Sequence, residues 1–370
     1  MDNDALTIGS EEIYPGETKE IDLFVSKLYD FTEISMPVKV IRGKVDGPRL
    51  FVCAAIHCDE VNGVEIIKRL LKHKSLRKIK GTLVAVPVVN VIGFNGLSRY
   101  LPDRRDMNRC FPGSSEGPLA SRLANLFVTE ILDKCTHGID LHTGTQHRIN
   151  LPQVRACLSD KETNRLSHEF DVPVILDAAL IEGSLRKVAS EKNVPLIVFE
   201  GGEVLRYNEV AIRTGISGIL SVMDALGMID YKIPKIRKVE SFVAKGRHWV
   251  RAPQSGMLLI KKKLGSVIKK SDLLGVISDP LGNDKIKVRA KAKESGLSVC
   301  DKPDSQEICF VPDNNYSDFI KKYKNIAPQK GSIIDASGKV LGQHMGFWNF
   351  TIGQRRGLGI AAKEPLYVTE

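Results

Sequence analysis

Residues 54–63, Ala-Ala-Ile-His57-Cys58-Asp59-Glu60-Val61-Asn62-Gly63, decide the fold class of this chain. The apolar run that leads into them, Leu50 to Ile56, is typical of a buried strand, and an amphipathic helix follows at once. Side chains at the carboxyl end of a central strand face the crevice in which open α/β sheets bind ligands. His57 and Glu60 are therefore either two ligands of a metal ion or two residues that cap the helix.

The flanking segments predict the βαβ unit of a parallel sheet. Residues 19–26 and 36–42 alternate apolar and polar side chains, which indicates two strands before the core strand at 49–56. Apolar residues recur at helical spacing over 61–72, and a second buried strand is predicted at 82–89. Strand, helix and strand in this order favour parallel pairing.

A long segment without periodicity, 90–117, separates this unit from a helix predicted over 118–134. Loops of this length inside a compact α/β domain are usually functional. Five of its side chains are suited to holding an anion: Arg99, Arg104, Arg105, Asn108 and Arg109.

Two further predicted strands end in polar residues. One closes at Asp140-Leu-His142-Thr-Gly, and the strand 195–199 runs into Glu200-Gly-Gly. A strand at 172–176 and a helix at 208–226 complete the predicted α/β part.

Three candidate ligands, His57, Glu60 and His142, thus stand at carboxyl ends of central strands. Two histidines and a glutamate, with one position left for water, form the ligand set of a catalytic zinc site. Glu200 is placed to act as general base and then acid. Asp140 lies on the same strand face as His142, where it is a candidate hydrogen-bond partner for that ligand. With this set complete, Cys58 is expected to pack as a small apolar residue.

Composition and charge limit the function classes. Hydrophobic residues make up 42% and charged residues 26% of the 370 residues, which is typical of a soluble globular protein. We expect a cytoplasmic protein without membrane association, because no run of 18 apolar residues and no secretory signal are present. Seven cysteines without a C-x-x-C pair suggest neither a disulfide framework nor a cysteine zinc site.

The net charge of +10 is concentrated in one segment. Residues 232–270 hold twelve Lys or Arg against a single acid, Glu240. Such a segment can contact a phosphate backbone or form the solvated face of a small β domain. Only two aromatic residues, Phe242 and Trp249, lie among its basic residues, which favours the second interpretation. Short strands are predicted at 249–253, 255–260 and 273–277.

The motifs His57-x-x-Glu60, Arg105-Asp-Met-Asn108-Arg109-x-Phe-Pro-Gly113, Asp140-Leu-His142-Thr-Gly and Phe199-Glu200-Gly-Gly resemble, over about residues 20–288, the succinylglutamate desuccinylase/aspartoacylase family. The resemblance implies a carboxypeptidase-like zinc hydrolase core with a mixed, mostly parallel central sheet. One zinc ion would be bound by His57, Glu60 and His142, with Glu200 as the catalytic carboxylate. Asn108, Arg109 and Arg105 would hold a substrate carboxylate, and Arg99 would polarise the scissile carbonyl.

A second resemblance covers about residues 291–370. Ser295-Gly-Leu-Ser-Val-Cys300, the run through Cys309-Phe-Val-Pro and Gly353-Gln-Arg-Arg-Gly-Leu-Gly359 are similar to the bacterial tRNA-specific 2-thiouridylases. The resemblance implies that Cys309 carries sulfur. The nucleotide-binding Ser-Gly-Gly-Val-Asp-Ser loop of that family is absent, and the tail has a net charge of only +2, so we expect it to be catalytically silent and to bind no tRNA independently.

We therefore predict three parts: a zinc hydrolase domain over 1–230, a small basic β domain over 231–290 and a partial 2-thiouridylase-like region over 291–370. The small β domain is expected to be truncated, and the last region is expected to be cut off near Pro365. The predicted function is hydrolysis of an amide or ester bond in a small carboxylate-bearing substrate such as an N-acyl amino acid. The alternatives are a component of tRNA modification and an inactive zinc-binding scaffold. The oligomeric state and the acyl group stay open.

Overall fold

A computed structural model describes residues 5–231, 240–283, 285–290, 331–335 and 339–344. The chain divides into two compact units, Met1–Glu294 and Ser295–Glu370. The predicted domain boundary at residue 231 stays a prediction.

The main sheet of the first unit has nine strands among the described residues, in the order β11-β9-β8-β10-β7-β5-β6-β4-β3. Five of its eight neighbouring pairs are parallel and three are antiparallel, so the predicted mixed, mostly parallel sheet is confirmed. The strands are β3 (Thr18–Lys27), β4 (Glu33–Arg42), β5 (Arg49–Ala54), β6 (Thr82–Val86), β7 (His137–His142), β8 (Asn150–Ala156), β9 (Val174–Asp177), β10 (Leu196–Gly202) and β11 (Phe242–Ala244). A short hairpin, β1 (Leu6–Ile8) and β2 (Glu11–Ile13), precedes them.

Helices cover both faces of this sheet, as the continuously buried apolar runs of β5 and β6 require. Those described are α1 (Asn62–Leu70), α2 (Val91–Asn95), α3 (Leu119–Glu130), α4 (Lys161–Glu169), α5 (Leu185–Glu191) and α6 (Glu209–Ala225), with 3₁₀ turns at Lys74–Lys78, Met107–Arg109 and Leu132–Lys134. On one face α3 and α5 pack over Phe51 and Cys53, and on the other α1, α4 and α6 pack over Val52 and Phe199. No helix of the described chain is long and apolar enough to cross a membrane.

Two predicted elements differ from those observed. The helix predicted over 118–134 ends at Glu130, and its last residues tighten into the 3₁₀ turn Leu132–Lys134. No strand forms at 249–253, where Trp249 instead stacks on the guanidinium of Arg148, 4.7 Å from its carbon to the ring centroid.

A second, smaller sheet follows the main sheet in the chain. It is antiparallel and consists of β12 (Met257–Ile260), β13 (Leu273–Ser278) and β14 (Ile286–Arg289). All four residues of β12 are exposed. In the second unit the described residues form one antiparallel pair, β15 (Gly331–Ile334) and β16 (Val340–His344).

Candidate metal centre

Three neighbouring parallel strands bring the predicted site residues to one edge of the main sheet. β5, β7 and β10 lie side by side, and His142 at the end of β7 is paired in register with Glu200 on β10. His57 and Glu60 follow the end of β5. Because strand side chains alternate, Asp140 and His142 share one face of β7, and Glu200 lies on the same face of β10.

The turn after β5 is held by its own backbone and by α1. The amide of Glu60 donates to the carbonyl of His57 at 3.2 Å. Asn62 ties this turn to β10, since its Nδ2 donates to the carbonyl oxygen of Gly201 and its Oδ1 accepts from the amide of Asn208, at 3.1 and 3.0 Å. A Cβ atom on Gly63 would lie 2.7 Å from that of Ala54, so only glycine lets α1 approach β5 this closely.

The alternative that His57 and Glu60 cap the helix is wrong. The N-cap of α1 is Val61, and no side chain makes a capping hydrogen bond there. Both side chains turn instead into the crevice, where they are almost fully buried.

The three candidate ligands converge on one point. The Nδ1 atoms of His57 and His142 are 3.2 Å apart, and they lie 3.1 and 2.9 Å from the two carboxylate oxygens of Glu60. One ligand atom from each residue lies within 4.8 Å of the others, and this cluster is buried. Glu60 also accepts the amide of Thr143 at 2.9 Å.

The outward-facing nitrogen of each histidine contacts an aspartate. Nε2 of His142 lies 2.8 Å from Oδ2 of Asp140, as the strand alternation predicted. Nε2 of His57 lies 3.0 Å from Oδ1 of Asp106, a residue that the sequence interpretation did not single out. Such contacts fix the ring orientation and leave Nδ1 to face a metal ion.

Mutual attraction shifts the pKa values of these groups in opposite directions. Burial opposes the charged form of His142, but the carboxylates of Asp140 and Glu60 outweigh it and hold its pKa well above the ordinary value. In His57, burial is likewise outweighed by Glu60 and Asp106, so its pKa is raised. Burial is also outweighed at Glu60, whose pKa the two imidazoles lower below its usual range.

This donor set fits zinc. Two imidazole nitrogens and a carboxylate oxygen facing one point, with each imidazole backed by a carboxylate, are the ligand chemistry of catalytic zinc sites. The buried carboxylates of this cluster are stabilised by positive charge, which a metal ion supplies when it displaces the protons of the two imidazoles.

Arg99 reaches the same cluster. Its Nη1 donates to Oε1 of Glu60 at 3.3 Å and its Nη2 to Oδ2 of Asp106 at 3.1 Å. Asp106 therefore joins His57 and Arg99 through its two oxygens. Burial opposes the charge of this carboxylate, yet His57 and Arg99 hold the pKa of Asp106 below its usual range.

The other predicted substrate residues lie further along the same loop. The side-chain oxygen of Asn108 accepts the amide of Leu185 at 2.9 Å, which ties this loop to the start of α5. Arg109 is exposed, and its Nη1 donates to the carbonyl of Asn108 at 2.7 Å. Arg105 is also exposed and lies 3.8 Å from Asp103. None of these three contacts the metal cluster among the described interactions, so their substrate role stays a prediction.

Glu200 is surrounded by donors from the adjacent strand β8. Its Oε2 accepts from Nδ2 of Asn150 at 2.7 Å and from Nε2 of Gln153 at 3.1 Å, and its Oε1 accepts from Nη1 of Arg155 at 2.8 Å. The sequence interpretation missed β8 because Pro152 interrupts it, and proline is rare in central strands. The alternation of Gln153, Val154, Arg155 and Ala156 was the available signal.

Cys58 lies beside the site without facing it. Its thiol donates to the carbonyl oxygen of Asn90 at 3.2 Å, and burial raises its pKa to about 12. The buried thiol of Cys53 donates to Asp140 at 3.4 Å. Cys309, the predicted sulfur carrier, lies outside the described residues.

Comparison with known families matches three segments of the chain. Residues 46–226 match the succinylglutamate desuccinylase/aspartoacylase catalytic domain. Residues 266–313 match the tRNA methyl transferase HUP domain, and residues 317–370 match the tRNA methyl transferase PRC-barrel domain. The second matched region thus begins earlier than residue 291 and includes β13 and β14.

Solved structures share the fold of the first unit. A succinylglutamate desuccinylase from Silicibacter sp. TM1040 superposes with a TM-score of 0.66 at 22% identity, covering 74% of this chain and 87% of that one. The product-bound ectoine utilization protein EutE (DoeB) from Ruegeria pomeroyi gives the same TM-score and coverage at 23% identity. These likenesses confirm the predicted carboxypeptidase-like fold.

Curated relatives match the C-terminal part. The tRNA-specific 2-thiouridylase MnmA of Bartonella bacilliformis is 56% identical over 90 residues, which are 24% of this chain and 23% of that protein. The Rickettsia felis protein is 54% identical over 98 residues, 26% and 27% of the two chains. This chain therefore spans about a quarter of the length of these relatives.

Both predicted resemblances are confirmed, each for its own part of the chain. The tail is similar to segments of tRNA-specific 2-thiouridylases, and residues 46–226 match the succinylglutamate desuccinylase/aspartoacylase catalytic domain.

Proposed function

We propose that this chain is a cytoplasmic zinc-dependent deacylase that hydrolyses the amide bond of a small carboxylate-bearing substrate such as an N-acyl amino acid. Its family indicates an amide-bond deacylase. The observation that carries the proposal is the convergence of His57, Glu60 and His142 on one buried point at the carboxyl edge of the main sheet.

Each group around this point has a separate role in the proposed hydrolysis. A zinc ion held by the cluster supplies a Lewis acid that polarises a carbonyl and acidifies water. Glu200 takes a proton from the attacking water and returns it to the leaving nitrogen. Arg99, fixed by Asp106, presents a positive charge to the oxyanion that develops on the scissile carbonyl. Asn108 and Arg109 orient the substrate through its carboxylate.

Metal analysis combined with a panel of N-acyl amino acids tests this function. We expect one zinc ion per chain and turnover of at least one panel member, lost with a chelator and restored by zinc. The variant His57→Ala should lose the metal, whereas Cys58→Ala should keep it, because the Cys58 thiol is bonded to Asn90. His137→Gln is the matched control, since His137 lies at the opposite end of β7 and pairs with Glu162.

The outcomes separate the alternatives. Zinc bound without turnover on any member of the panel would favour an inactive scaffold. Loss of zinc in Cys58→Ala with retention in His57→Ala would contradict the ligand assignment.

A role in tRNA modification is the second candidate, because the tail is 54–56% identical to segments of tRNA-specific 2-thiouridylases. A gel shift with tRNA at increasing salt tests it, since phosphate contacts weaken steeply with salt. If the tail does transfer sulfur, Cys309→Ser should abolish the transfer.

A further inference from the structure

The donors around Glu200 come from a single short piece of chain. Residues 142–155 begin with the candidate ligand His142 and continue through a loop into β8. The amide of Gly144 donates to the carbonyl oxygen of Gly202 at 3.1 Å, and Asn150 pairs in register with the same glycine. One segment, bonded to β10 at both ends of its loop, therefore sets the position of the ligand and of the carboxylate together.

The two oxygens of Glu200 are not equivalent. A carboxylate has about four lone-pair sites, two on each oxygen. Oε2 accepts two donors, from Asn150 and Gln153, whereas Oε1 accepts one, from Arg155, among the described residues. Oε1 therefore keeps a lone pair that can receive a proton, and Oε2 does not.

Among the described residues, the one hydrogen bond that the Arg155 side chain makes is to Glu200. Of its five N–H donors, one meets Glu200 from Nη1, and its Nε is buried with no hydrogen-bond partner among the described residues. Buried side-chain donors are usually paired in proteins, so the hydrogen-bond requirements of the fold alone do not explain the position of Arg155.

A second guanidinium limits where Arg155 can turn. Arg186 is bonded through its two Nη atoms to the carbonyl oxygens of Ala178 and Ala179, at 3.1 and 2.7 Å. Burial, and then repulsion from Arg155, lowers the pKa of Arg186 to about 10. The like charge on this fixed side chain disfavours movement of Arg155 towards it and favours the pairing with Glu200.

We propose that Arg155 is a positioning residue that fixes the rotamer of Glu200, and that Oε1 of Glu200 is the atom that accepts the proton. The inference rests on the proposed hydrolase function. An O–H bond of the attacking water breaks as its proton moves to Oε1, and the electron pair stays on the oxygen that bonds to the carbonyl carbon. The same proton then moves from Oε1 to the leaving nitrogen as the C–N bond breaks, which restores the carboxylate.

The test compares Arg155→Met, Arg155→Lys and the control Arg165→Met in the zinc-loaded full chain. Arg165 is a suitable control because it pairs with Glu162 on the surface of α4. We expect Arg155→Met to lower kcat about ten- to hundredfold, the scale of a misplaced catalytic group, with KM and zinc content unchanged. Arg155→Lys should recover part of the loss, because the ammonium can donate to Oε1, and Arg165→Met should match the parent.

Each other outcome overturns the inference. Unchanged kcat in Arg155→Met with an active parent contradicts it and leaves the proposed function standing. Loss of zinc would mean that Arg155 supports the fold. A rise in KM with kcat unchanged would mean that it supports substrate binding. A parent without turnover on the whole panel removes the proposed function and this inference with it. If Arg155→Met does not fold, Arg155→Gln and Arg155→Lys decide by the same measurements.

Discussion

The main sheet and the small sheet β12–β14 contain similar apolar residues but bury them very differently. Phe51, Val52 and Phe199 of the main sheet are fully buried because helices cover both faces. In β12, Leu259 is 58% and Ile260 68% exposed, and within the three strands of the small sheet only Gly275 and Ile277 are buried. Covering layers, rather than strand composition, decide which sheet can hold polar groups in fixed positions. Glu60, Asp140 and His142 accordingly lie at the buried edge of the main sheet.

The largest expected difference between substitutions in the main sheet and substitutions outside it is in catalysis. Glu200→Ala should lower kcat by roughly 10²–10⁴-fold, the contribution of a general base, while zinc stays stoichiometric because Glu200 makes no contact to the metal cluster among the described interactions. Steady-state kinetics with metal analysis measure both. Glu240→Ala, an exposed carboxylate outside the main sheet, is the control and should retain activity. Turnover equal to the parent in Glu200→Ala would remove its assigned role.

The next effect is on stability. Phe199 is fully buried and its ring stacks on Phe170 with centroids 5.2 Å apart. Phe199→Ala should lower the free energy of unfolding by about 3–5 kcal/mol. Leu259→Ala in β12 should change the free energy of unfolding by less than about 0.5 kcal/mol, because the Leu259 side chain is already largely exposed and buries little apolar area. Chemical denaturation of both variants measures the difference, and equal losses would contradict the comparison.

A smaller effect concerns the aspartate that joins His57 to Arg99. Asp106→Asn should weaken zinc binding about 10–100-fold, the usual consequence of losing a carboxylate behind a histidine ligand. Asp272→Asn is the counterpart in the connection between β12 and β13 of the small sheet, where Asp272 pairs with Lys262 at 2.9 Å. Competition with a chromophoric chelator gives both affinities. Equal affinities for the two variants would show that Asp106 does not support the ligand.

The smallest effect is the pH dependence of the metal-free protein. The pKa of His142 is raised above 6.5, so its protonated form contributes stability below that value and the contribution is lost as pH rises through the folded-state pKa. The pKa of Glu60 is lowered below 4.5, so its contribution is present above that value and is lost as pH falls.

The metal-free protein should therefore have its highest Tm between about pH 4.5 and 6.5, and should lose stability as pH rises above or falls below this range. Zinc takes the place of the protons and should flatten the alkaline limb. Thermal melts with and without zinc test this expectation. Identical profiles for the two forms would argue against metal binding at these histidines.

The sequence predicted the parts of the fold that periodicity controls. β5, α1, β6 and α6 follow apolar patterns set by burial on one or two faces, and their positions at 49–56, 61–72, 82–89 and 208–226 are confirmed to within a few residues. The segment containing β8 was not predicted, because Pro152 masks the alternation that the neighbouring strands enforce. The convergence of His57 with His142 follows from strand order and could be predicted from the strand ends.

The partners behind the site residues were harder to predict. The contact of Asp140 with His142 could be predicted, because Asp140 lies two residues before His142 on the same strand and therefore on the same face. Asp106 lies in a loop without periodicity, and its contact with His57 depends on how that loop folds back over the sheet. Arg155 contacts Glu200 because β8 pairs with β10 in antiparallel orientation. No local sequence pattern indicates that these two strands are neighbours.

The register of β7 against β10 limits how this chain can change length during evolution. His142 and Glu200 are direct neighbours across that pair, and a strand presents alternate residues to opposite faces. Insertion or deletion of one residue before Glu200 within β10 would turn its carboxylate into the layer of α1, α4 and α6. Length variation in descendants of this domain should therefore be confined to the connections between strands.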